Sequence, residues 1–92
     1  MNILIVGGNG RIGSSFISFL LDKQVNTINV DITEGRPITQ SDQYTFIKGC
    51  IGDISTQQKI ASIITQLESK RIDAICFLAR THITNNLRLS SM

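Results

Sequence analysis

Apolar positions along the chain fall into short unbroken runs that alternate with helically spaced ones. Ile3-Leu4-Ile5-Val6 is continuous, rich in β-branched residues and closed by Gly7-Gly8, the pattern of a strand covered on both faces in a parallel sheet. From Arg11 to about Lys23, the residues Ile12, Phe16, Ile17, Leu20 and Leu21 recur at spacings of four, one, three and one. That places them on one face of a helix, with Ser14, Ser15, Ser18 and Asp22 on the other. Further strands are predicted at about 26–31 (NTINVD), 44–48 (YTFIK) and 73–78 (DAICFL). Between the last two, Ser55 to Gln58 has the spacing of a capping box. Ile60, Ile63, Ile64 and Leu67 continue it as one stripe, ending near Ser69-Lys70, where a cation suits the negative end of the helix dipole.

The order β-α-β-loop-β-α-β with buried-type strands implies an α/β fold. A parallel sheet of about four strands, in the order 3-2-1-4, is flanked by helices with right-handed crossovers. The fourth strand is apolar at successive positions, Ile75, Cys76, Phe77 and Leu78, and so reads as an interior strand although no fifth strand follows it. Its free edge is expected to be covered by a second copy in a homo-oligomer or by a completing chain.

Gly7, Gly10 and Gly13 form G-x-x-G-x-x-G between the first strand and the first helix. In that place Gly7 permits a tight turn, Gly10 lets the backbone approach a pyrophosphate without a Cβ, and Gly13 lets the helix pack close to the strand. The free N–H groups at the helix start then face the phosphates. Asp31 closes the second strand, 18 residues beyond Gly13, where a carboxylate accepts hydrogen bonds from the ribose hydroxyls and repels a 2′-phosphate. NAD is therefore favoured over NADP. The alternatives are an ordinary strand-to-helix turn for the glycines and a solvated strand end for Asp31. Strand, glycines, helix and acid falling in register favour the dinucleotide.

With these residues the chain resembles the extended short-chain dehydrogenase/reductase family, the NAD-dependent epimerases and dehydratases that often act on nucleotide sugars. The resemblance covers about residues 1–80 and also takes in Gly52-Asp53-Ile54 and Phe77-Leu78-Ala79. It implies a partial Rossmann fold, with residues 1–80 as the dinucleotide-binding half and 81–92 as a tail or short helix. It further implies that Ile32 follows Asp31 at the adenosine, that Asp53 accepts from the adenine amino group while Ile54 packs on the ring, and that Leu78 and Ala79 flank the cofactor. For Asp53 the alternative is a partner to the second helix's dipole. Two positions depart from the family pattern. Arg11, beside Ile12, stands where an aromatic residue is common, and Arg80 replaces a small one. Either suits a cofactor phosphate.

Composition narrows the class. The 92 residues are 41% hydrophobic and 17% charged, with a mean hydropathy of +0.11. They contain no run approaching the roughly 20 apolar residues of a membrane span. The net charge is +2, with only Lys70-Arg71 adjacent among the basic residues, so no basic stripe points to nucleic acid. Cys50 and Cys76 form no CxxC, and no signal peptide precedes the first strand. Reduced thiols near the core and a cytoplasmic location are expected. A zinc site would need both cysteines, the single histidine, His82, and a distant carboxylate.

In this family the resemblance places catalysis on a Tyr-x-x-x-Lys helix beyond the fifth strand. Tyr44 and Lys48 match that spacing, but they fall in a predicted strand, where four residues span roughly 13 Å and phenol and ammonium do not meet. His82, with Thr81 and Thr84, follows the fourth strand without a substrate domain. Two readings follow. One is the cofactor-binding portion of an epimerase/dehydratase-like oxidoreductase, truncated or completed by another chain. The other is a non-catalytic dinucleotide-binding or interaction module.

Overall fold

The computed structural model describes residues 1–35 and 41–78. Its elements run β1 (Asn2–Val6), α1 (Arg11–Asp22), β2 (Asn26–Asp31), β3 (Tyr44–Lys48), α2 (Ile54–Gln66) and β4 (Ala74–Phe77). The four strands form one sheet in the order β3-β2-β1-β4, and every neighbouring pair is parallel. The strand order is the one expected from the alternation of the sequence.

β1 is buried along its whole length because it has a strand on either side and apolar layers on both faces. Alternation sends Ile3 and Ile5 to one face, where they pack with Ile17 and Leu20 of α1. Leu4 joins Ile28, Val30, Ile47 and Ile60 of α2 on the other. Burying an isoleucine as fully as Ile5 or Ile17 stabilises the fold by about 2–3 kcal/mol.

Three helix details differ from expectation. Ile12 is 75% exposed, because the buried stripe of α1 runs through Gly13, Ile17 and Leu20, with Phe16 and Leu21 only partly buried at its margin. The close approach at Gly13 sets the helix's rotation and turns Ile12 outward. α2 begins two residues earlier than a Ser55–Gln58 capping box requires. Its N-cap is Asp53, without a side-chain cap bond, and Gln57 Nε2 donates to the Ile51 carbonyl at 2.9 Å. The start is set by packing instead, since Thr56 is buried against Gly49, where a Cβ would collide with Thr56 Oγ1. The helix also ends at Gln66, with Leu67 as its C-cap, short of Ser69-Lys70, and Lys70 turns into the left-handed region at φ 55°.

β4 is the most exposed strand. α2 lies over Ile28, Val30 and Ile47, so Ile75 and Phe77 remain 55% and 67% exposed. Cys76 and Leu78 face the α1 side and pack against its core. Among the described residues β4 pairs only with β1. Cys50 is exposed rather than near the core, and both cysteines are free. No helix among the described residues is long and apolar enough to cross a membrane.

Candidate functional site

The strands of a parallel sheet all end on one edge, and here that edge carries the glycine loop. Gly7 adopts φ 85°, a conformation that L side chains resist, while its N–H still donates to the Val30 carbonyl at 2.7 Å. The chain thus leaves β1 abruptly without losing its place in the sheet. At Gly13 a Cβ would lie 2.6 Å from the Gly8 carbonyl oxygen and 2.7 Å from Gly8 Cα, so helix and loop touch backbone to backbone. At Gly10 a Cβ would meet nothing within 4 Å. Space above Gly10 is open to a ligand.

Gly10 is the N-cap of α1, and the helix start has neither a side-chain cap bond nor an acidic residue in its first turn. Its N–H groups and positive dipole end are left to an anion. Arg11 adds a cation there, against the preference for negative charge at a helix N-terminus, and among the described residues it has no ion pair. Gly7, Arg11, Ile12, Gly13 and Leu78 together line a cleft of about 400 Å³. Five positions singled out by the sequence therefore meet around one hollow, and the outward turn of Ile12 places it in the lining.

Asp31 is joined to the loop directly. Its Oδ2 accepts the Asn9 N–H at 2.9 Å, and its Oδ1 accepts the Thr33 N–H and hydroxyl at 3.0 and 3.1 Å. Of roughly four lone-pair positions on a carboxylate, three are filled. Ile32 is 66% exposed just past β2, and Ile54, the first residue of α2, is 71% exposed. Asp53 is exposed at the α2 N-cap. These last residues lie beyond β3, two strands from β1, and make no hydrogen bond to the glycine loop among the described residues. Ala79 lies outside the described residues, as do Arg80, Thr81, His82 and Thr84.

Tyr44 and Lys48 stand on β3 with separate partners: Tyr44 Oη accepts from Asn29 Nδ2 at 3.2 Å, and Lys48 faces Glu34 at 3.6 Å. They form no acid–base pair. No three His, Cys, Asp or Glu side chains gather into a metal site among the described residues.

The glycine spacing does not point to two further residues of this edge, Asn9 and Asn29. Asn29 Oδ1 accepts the Gly8 N–H at 3.0 Å, and its Nδ2 donates to Asn9 Oδ1 at 2.8 Å. The available signal is an amide between the two apolar residues of β2, Ile28 and Val30, in a strand interior where Asn is disfavoured.

Known proteins share this architecture. A dTDP-glucose 4,6-dehydratase from Bacillus anthracis, solved in complex with NAD, superposes with a TM-score of 0.65 at 28% identity, over 90% of this chain and 28% of its own. A UDP-glucose 4-epimerase from Thermotoga maritima, solved with UDP-glucose, gives 0.67 at 26% identity, over 99% of this chain and 28% of its own. A dihydropteridine reductase from Dictyostelium discoideum is 32% identical over 77 residues, which are 84% of this chain. The chain spans about 30% of the length of that reductase. Residues 3–90 match the NAD dependent epimerase/dehydratase family, and with the four-stranded parallel sheet and its glycine loop this shows that the chain is a member of that family.

Proposed function

We propose that the C-terminal edge of the sheet binds NAD, as the cofactor-binding portion of an epimerase/dehydratase-type oxidoreductase. The observation that carries this is the open space over Gly10 at an uncapped helix start, a cradle that a pyrophosphate fits. The α1 N–H groups and Arg11 would hold the phosphates, with Gly7, Ile12, Gly13 and Leu78 as walls and Ala79 next to them in the chain. Asp31 would take a ribose hydroxyl at its one remaining lone-pair position, and its charge disfavours a 2′-phosphate, so NAD is bound in preference to NADP. Ile32 and Ile54, exposed apolar side chains past adjacent strands, would cover the adenine, with Asp53 accepting from its amino group. When bound, NAD would supply hydride exchange at its nicotinamide, and these residues would hold its phosphates, ribose and adenine.

The named relatives that act on dTDP-glucose and UDP-glucose support a nucleotide sugar as substrate of the family chemistry. The second reading is a dinucleotide-binding module without turnover, in which Tyr44 bonded to Asn29 and Lys48 facing Glu34 have structural roles. Exposed Ile75 and Phe77 on β4 support association with a second copy or a completing chain, and the two free thiols suit a reducing cytoplasm. Calorimetric titration tests the assignment: one-to-one micromolar binding of NAD⁺ with weaker NADP⁺ is expected, and no binding at millimolar NAD⁺ sinks it. Turnover with an added sugar nucleotide selects the first reading, and binding without turnover the second. Light scattering that shows a stable monomer at tens of micromolar would remove the association.

A further inference from the structure

β2 carries a side chain that the cofactor reading leaves without a role. Asn29 is fully buried in mid-strand, and its amide is engaged at both ends. Oδ1 accepts from Gly8 N–H, while Nδ2 donates to Asn9 Oδ1 and Tyr44 Oη. Asn9 carries the connection outward. Its N–H donates to Asp31 Oδ2 at 2.9 Å, and its Nδ2 to the Thr33 carbonyl at 2.5 Å. One continuous relay thus joins β3, the interior of β2, the glycine loop and the exit of β2. At Gly8 a Cβ would collide with Asn29 Oδ1 and lie 2.7 Å from Ile17 Cδ1, so this glycine, outside the G-x-x-G-x-x-G set, answers to Asn29.

Resting on the dinucleotide reading, we propose that Asn29 is the positioning residue of the phosphate-binding loop. Gly8 and Asn9 immediately precede Gly10, the N-cap of α1, so whatever fixes their backbone fixes the direction of the first free N–H groups of the helix. An apolar residue at this position would leave the buried Gly8 N–H without a partner and free Asn9 to swing away from β2. The amide acts through backbone, without touching the ligand. It prepares the loop before the ligand arrives, and preorganisation of this kind appears as affinity.

The test combines NAD⁺ titration with thermal midpoints and amide hydrogen exchange, for wild type, Asn29→Ala, Asn9→Ala and the double variant. Asn29→Ala is expected to raise the NAD⁺ Kd about tenfold and Asn9→Ala about threefold. The double variant should bind no more weakly than Asn29→Ala alone, since both remove one constraint. Exchange of the Gly8 amide in the unliganded protein should quicken in Asn29→Ala. A lowered midpoint with a Kd within twofold of wild type marks a merely structural role and overturns the proposal while leaving the cofactor assignment intact. A wild-type chain that fails to bind millimolar NAD⁺ overturns the assignment and the proposal with it. If Asn29→Ala does not fold, Asn9→Ala decides in the same terms: weaker binding at an unchanged midpoint supports the relay, and an unchanged Kd overturns it.

Discussion

Each end of the sheet is organised around an asparagine, and the two use the same side chain to opposite ends. At the N-terminal end, Asn2 Nδ2 donates to Ser69 Oγ and the Arg71 carbonyl, and its Oδ1 accepts from Asn26 Nδ2. Its backbone N–H donates to Asp73 Oδ2 at 2.7 Å, closing the α2–β4 turn onto β1. At the C-terminal end, Asn29 holds two loop residues whose neighbours keep free N–H groups, exposed isoleucines and an open cleft. Both ends contain a hollow, of about 250 Å³ beside Asn2 and about 400 Å³ beside Gly7. What separates them is the state of the backbone. One network ends on paired groups and acts as a latch, whereas the other ends on a helix start with no side-chain cap bond, where an anion would be favoured.

Substitutions at the two ends should therefore separate stability from binding. The largest effect is expected at Gly13→Ala, where the new methyl would press on Gly8 backbone that has no side-chain freedom with which to yield. A loss of about 3 kcal/mol in urea unfolding should come together with loss of NAD⁺ binding. Asn2→Ala should lower stability by about 2 kcal/mol, because it strips partners from a buried polar cluster, and leave the NAD⁺ Kd unchanged; a weakened Kd would mean that the two ends are coupled. Gly10→Ala reverses that profile. Its methyl enters open space, so stability should change by less than about 1 kcal/mol, while calorimetry should show a Kd raised about tenfold.

The smallest effect sharpens the latch itself. The Asp73 carboxyl is held below its ordinary value, first by the Asn2 backbone N–H and further by Arg71, whose Nε lies 3.2 Å from Asp73 Oδ1. A depressed folded-state pKa contributes stability that is present above the unfolded value of 3.8 and is lost as pH falls through the folded one. Acid unfolding below about pH 4 should therefore flatten in Asp73→Asn, with the neutral-pH NAD⁺ titration unmoved. A flattened acid limb accompanied by weaker NAD⁺ binding would contradict the separation of the two ends.

Much of this was legible from periodicity. The unbroken Ile3–Val6 run, the stripe through Ile17 and Leu20 and the regular return of apolar runs imply parallel strands, and the strand order followed from connection rules. The glycines were legible for the same kind of reason, since each absence of a Cβ has a local steric cause at Gly7 and Gly13. Less legible were helix limits. Ser55 and Gln58 have capping-box spacing, yet Thr56 seated on Gly49 fixes where α2 begins. Local hydrogen-bond preferences are worth about 1 kcal/mol, and tertiary packing of a buried residue outweighs them.

The sequence by itself determined the alternation of strands and helices, the steric demand for small residues at the β1–α1 turn and the acid at the end of β2, because each depends on residues near one another in the chain. Tertiary structure decided which way Ile12 faces, that Tyr44 meets the Asn29 amide, and that Asn29 and Gly8, 21 positions apart, require one another. Those outcomes depend on how neighbouring elements approach across the sheet, a distance that no local spacing along the chain encodes.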